Sequence, residues 1–141
     1  MRHIKIVVVL ALFFLSSSYA LSEDEHIFDI IIGEESQQTI TVMTTNISKE
    51  RALYGLSVER QESDKWIPVR GALSCPCRSL CAALVAPTLD INKSVMAQWN
   101  YLDDMCAKVK PGFYRFVSYG KWSKKLNRNI LRGRSEPFEI K

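Results

Sequence analysis

The chain reads as all-β, a β-sandwich of about seven short strands. Apolar and polar residues alternate over short runs, β-branched and aromatic residues fill those runs, and polar turn clusters separate them. Phe28 to Ile32 is apolar with little alternation. Gln38 to Thr45 alternates, placing Ile40, Val42 and Thr44 on one face. Tyr54, Leu56 and Val58 alternate with Ser57 and Glu59, and the turn Glu62-Ser63-Asp64 then leads into Trp66 to Arg70. Val95, Ala97 and Trp99 alternate with Met96 and Gln98, Phe113 to Tyr119 is strongly aromatic, and Phe138 with Ile140 marks the last strand. Only Lys121 to Arg134 offers a helical period, because Trp122, Leu126 and Ile130 recur every four residues. The same pattern fits a small β-barrel as the second choice.

The N-terminal segment has the marks of export. Arg2, His3 and Lys5 precede the apolar run Ile6 to Leu15, and Ser18-Tyr19-Ala20 offers small residues for a signal peptidase. The expectation is a signal peptide over residues 1–20, destined for periplasm or medium, and a single domain over 21–141. No transmembrane segment is expected after cleavage, since the run falls short of the roughly 20 apolar residues of a span. The 121 remaining residues suffice for one core. Two of the 19 basic residues and none of the 15 acidic ones precede residue 21, which leaves a net charge of +2. The distribution tells more: Leu21 to Glu35 holds six acids and no Lys or Arg, whereas Lys121 to Arg134 holds six basic residues and no acid.

All four cysteines, Cys75, Cys77, Cys81 and Cys106, fall in one region, and in an exported protein they read as disulfides. A Cys75–Cys77 ring through Pro76 would be strained, which disfavours the pairing that leaves Cys81–Cys106. Two pairings stay open: Cys75–Cys106 with Cys77–Cys81, or Cys77–Cys106 with Cys75–Cys81. Either fastens a cysteine-rich loop to the segment before Lys110-Pro111-Gly112. A four-thiolate zinc site is the weaker alternative, as is a copper site recruiting Met105, because paired Cys-x-x-Cys knuckles are missing.

Lys110-Pro111-Gly112-Phe113-Tyr114-Arg115-Phe116 resembles the Pro-Gly turn and penultimate strand of bacterial immunoglobulin-like modules. Gln38-Thr39-Ile40-Thr41-Val42 with Asn46, followed by the Glu59-Arg60-Gln61 to Lys65-Trp66-Ile67-Pro68-Val69 hairpin, is similar to their earlier strands. Secreted proteinase-inhibitor-like sandwiches share the pattern, which covers residues 28 to 141. The resemblance implies an immunoglobulin-like β-sandwich with Phe116 standing where antibody-type domains carry the second inter-sheet cysteine. It also implies a tyrosine-corner role for Tyr114, with its hydroxyl bonded to nearby backbone.

Catalytic signatures are absent from the sequence. His26 is the one histidine after the signal segment and reads as a solvated tail residue, and Asp103-Asp104 read as solvated loop carboxylates. No Gly-rich phosphate loop or Gly-x-Ser-x-Gly elbow occurs. The expectation is a non-enzyme without cofactor. Trp122, Lys124, Lys125, Arg128, Arg132 and Arg134 are the candidate binding residues, facing a protein or an anionic envelope surface rather than nucleic acid. The competing reading of that segment is a solvated hairpin. The leading function is an exported binding module stiffened by disulfides. Its alternatives are an immunoglobulin-like proteinase inhibitor, with Ala72 to Pro87 as the presented loop, and a thiolate metal-binding protein. Two sequons, Asn46-Ile47-Ser48 and Asn92-Lys93-Ser94, complete the inventory.

Overall fold

The computed structural model describes residues 25–79, 87–123 and 128–141, with residues 121–123 and 128 described in backbone alone. The expected signal segment and Cys81 lie outside these residues. Every regular element among them is a strand: β1 (Phe28–Glu35), β2 (Ile40–Asn46), β3 (Ala52–Leu53), β4 (Ser57–Glu62), β5 (Lys65–Arg70), β6 (Thr88–Leu89), β7 (Ser94–Trp99), β8 (Gly112–Ser123), β9 (Arg128–Arg134) and β10 (Phe138–Ile140). No helix among the described residues is long and apolar enough to cross a membrane.

Three antiparallel sheets result. One has the order β1-β2-β7; another runs β10-β8-β4-β5, with β9 also on β8; β3 and β6 pair by themselves. Alternation explains why these faces meet. Phe28, Ile30, Ile40 and Val42 from the first sheet pack with Val58, Tyr114 and Phe116 from the second in one core cluster. Trp99, 1% exposed, is its centre, with ring centroids 5.7 Å from Tyr114, 6.0 Å from Phe116 and 6.4 Å from Phe138. Burying side chains of this size contributes about 2 to 3 kcal/mol each. Phe116 is fully buried and stacked 5.3 Å from Phe138. The Tyr114 hydroxyl donates to the Lys110 carbonyl, four residues earlier, at 2.5 Å.

Among the described residues ten strands are found where about seven were expected. The two-residue β3 and β6 leave too little sequence for a periodicity to register. The last strand is divided, because Pro137 offers no N–H to a ladder and Ser135 turns inward, its hydroxyl accepting from Phe116 N at 3.0 Å.

The helical period in Lys121 to Arg134 is overturned in the described part of that segment. β8 runs on to Ser123 and pairs with β9, with Trp122 opposite Asn129 and Ser123 opposite Arg128. A spacing of four is also two full periods of a strand, so Trp122 and Ile130 never distinguished helix from hairpin. Residues 25–27 are not a free tail either. Glu25 N donates to Leu131 O and Ile27 N to Arg132 O, both at 2.9 Å.

Asn46 shows why a sequon is no guide to exposure. It is fully buried, its Nδ2 donates to the carbonyls of Glu50 and Leu89 at 2.8 Å, and its Oδ1 accepts from Ser48 N and Oγ. These bonds fasten the end of β2 to β6.

Candidate binding groove

On β4, Val58 faces the core and Glu59 faces the other way, which on a sheet's outer face means water. Glu59 is nevertheless only 3% exposed. Register explains this: Glu59 stands directly across from Arg115 on β8 and Pro68 on β5. Arg115 donates to Glu59 Oε2 through Nε at 2.8 Å and approaches it with Nη2 at 2.7 Å. The Tyr119 hydroxyl donates to Oε1 at 2.5 Å. Trp66 supports the guanidinium, whose carbon lies 4.3 Å from the ring centroid.

Removing two charges from water is costly, and paired, charge-assisted hydrogen bonds offset that cost. The network also acts on Tyr119. Burial, then the hydrogen bond to Glu59 and its negative charge, push the phenol from 10.0 up to about 12, against a smaller opposing pull from Arg115. Tyr119 is therefore a fixed donor at neutral pH.

A second set of contacts holds the rim. Arg70, 8% exposed, reaches Asp104 Oδ1 with Nη1 at 3.1 Å and donates through Nη2 to the Cys75 carbonyl. The same Asp104 oxygen accepts from Gly71 N at 2.9 Å, and Asp103 Oδ1 accepts from Met105 N and Ala107 N at 2.9 Å. The Asp104 side chain is 61% exposed, as expected of a loop carboxylate, and the two carboxylates also organise two loops. The Cys77–Cys106 disulfide, with Cα atoms 5.3 Å apart, and the bond from Arg78 Nε to Met105 O at 2.8 Å complete the clamp. Of the two open pairings, the bond is the one joining Cys77 to Cys106, and Cys75 is disulfide-bonded as well.

Two adjoining hollows flank the Trp66–Arg115 stack. One, of about 710 Å³, lies over Glu59, Tyr119, Asn129 and Leu131. The other, of about 850 Å³, reaches across the linker after β9 toward His26, Asp29 and Glu136. Trp66, Arg115 and Arg134 line both. Arg134 is exposed and has no ion pair or side-chain hydrogen bond among the described residues.

The sequence-predicted binding residues separate at this point. Arg134 is in the groove, and neighbouring β9 residues form its wall. Arg132 points elsewhere: it lies 3.7 Å from Glu25, sits 5.8 Å from the Phe28 ring, and covers Gly120. Trp122 and Arg128 are placed by their backbones alone, and Lys124 and Lys125 lie outside the described residues. Glu59, Trp66, Arg115 and Tyr119 were not singled out from sequence. Opposite charges facing one another across strands are their only signal, and it emerges once β4 is known to pair with β8.

No family model, curated protein or solved structure matches the chain.

Proposed function

We propose that this protein is a small exported, immunoglobulin-like binding module that holds an acidic segment of a partner protein in the groove over β4, β5, β8 and β9. Several features support the immunoglobulin-like reading. The order β1-β2-β7 opposes β10-β8-β4-β5, and Tyr114 makes its corner bond. Seven strands remain when β9 and β10 count as one interrupted strand and the two-residue pair is set aside.

The observation that carries the binding reading is Arg134, an exposed cation unpaired among the described residues, where two hollows meet beside a Trp–Arg stack. Arg115 is neutralised by Glu59, which in the hollow over Tyr119, Asn129 and Leu131 leaves Arg134 to select for negative charge. A binding role rather than catalysis suits a groove whose carboxylate and phenol are both engaged with each other. The metal alternative loses three of its four thiolates, Cys77 and Cys106 to their mutual bond and Cys75 to a disulfide of its own. The inhibitor alternative draws on the same bond, which pins the loop carrying Arg78.

One experiment separates these readings. A photo-crosslinking residue is placed at position 129, 78 or 45 of the exported protein in its native compartment. The expected result is a discrete adduct from position 129 that disappears with Arg134→Glu, and none from position 45 on the opposite sheet. Adducts from position 78 alone would favour the inhibitor reading, and no adduct from position 129 would overturn the groove.

A further inference from the structure

The sheet β1-β2-β7 carries a feature unrelated to the groove. Ile31 pairs with Met43, and Met43 pairs with Met96, so three apolar side chains form one row straight across the sheet. They are 49%, 36% and 70% exposed, on the face away from the core. The row ends at β7, the outermost strand of its sheet.

The backbone of β7 is also unfinished. Asn46 N donates to Lys93 O at 3.0 Å, which sets the alternation of the β2–β7 ladder. By that alternation Val95, Ala97 and Trp99 turn their N–H and C=O groups toward β2. Ser94, Met96 and Gln98 turn theirs outward, where no strand among the described residues receives them.

Edges are usually protected by charge, proline or a covering strand. β5, the edge of the other large sheet, carries Lys65, Pro68 and Arg70. β1 is flanked by β9 through the residues just before it. β7, Ser-Val-Met-Ala-Gln-Trp, has no charge, proline or glycine.

We propose that β7 pairs antiparallel with β7 of a second copy of this chain about a two-fold axis at Met96. In that register Met96 faces Met96 and Ser94 faces Gln98, and each of these residues presents its outward backbone groups to the other copy. The result is a continuous six-stranded sheet in which the apolar row becomes six side chains long. Self-pairing is favoured over another partner because the strand is its own complement. Its one flanking charge, Lys93, falls opposite Trp99 of the second copy. The two Lys93 residues stand about 20 Å apart, well beyond the screening length at physiological salt. An isologous contact of this kind closes at two copies. Met96 supplies an adaptable thioether at the axis.

Sedimentation of the oxidised protein from micromolar to millimolar concentration tests this, together with hydrogen exchange at the amides of Ser94, Met96 and Gln98. The expected result is a concentration-dependent dimer whose formation slows exchange at those three amides. Met96→Lys sets two like charges opposite one another, so it is expected to be monomeric throughout with an unchanged circular dichroism spectrum. Met105→Lys, at an exposed residue off the sheet, should dimerise like the parent. A parent that stays monomeric at every concentration overturns the proposal, as does a dimer that survives Met96→Lys.

Discussion

Glu59 shows how much one residue depends on its neighbours across strands. As a glutamate on the outer face of a sheet it would be an unremarkable solvated charge. Arg115, Tyr119 and Trp66 instead close over it and leave it 3% exposed. Tyr119 carries the clearest consequence. Its folded pKa of about 12 lies above the ordinary 10.0, so the folded state favours the neutral phenol. That contribution to stability is fully present below about pH 10 and is lost as pH rises toward about 12. Phenolate absorbance should therefore show a late ionisation that Tyr119→Phe removes. The Tyr119→Phe protein should also lose less stability than the parent between about pH 10 and about pH 12. Simultaneous ionisation of all tyrosines near the ordinary value would refute the burial and bonding assigned to this side chain.

Among the elements, β8 organises the larger sheet. Its first half pairs with β4 on one side and β10 on the other, and its second half pairs with β9. This run was legible as an aromatic strand from Phe113 to Tyr119, and most other strands were similarly legible from alternation. The hairpin beyond Tyr119 was legible only as one of two choices, because a four-residue spacing satisfies both periods. β9 must also approach β1 closely, and Gly133 permits it: a Cβ there would lie 2.6 Å from Phe28 O and 2.9 Å from Phe28 Cβ. Gly133→Ala is expected to destabilise the protein by about 1 to 3 kcal/mol in urea unfolding. Gly55→Ala, where a Cβ would meet nothing within 4 Å, should leave the midpoint near that of the parent. Equal midpoints for the two variants would mean that β9 and β1 are not in this contact.

At the scale of the whole molecule, two sheets share the Trp99 core while the loops at one end are clamped by Cys77–Cys106. The bond spans 29 residues, and a loop of that length is worth about 3.5 kcal/mol by the chain-entropy account. Cys77→Ser combined with Cys106→Ser should lower unfolding stability by about that amount. A loss well under about 1 kcal/mol would show that Asp104 and its partners hold the loops unaided.

Alternation, β-branched content and turn residues were enough to announce an all-β chain, most of its strands and the shared face of Val95, Ala97 and Trp99. Those are local properties, since a side chain's face follows from its place in a strand. Cysteine clustering announced disulfides for the same reason, but left two pairings open until the loops were seen folded together. The groove was not legible. Glu59 and Arg115 are 56 residues apart, as Glu59 and Tyr119 are 60, and nothing local says that they touch. The exposed row Ile31, Met43 and Met96 likewise joins three strands whose register is a property of the sheet. Residues distant in sequence become a site only when pairing brings them across from one another, and pairing is decided by the packing of the whole chain.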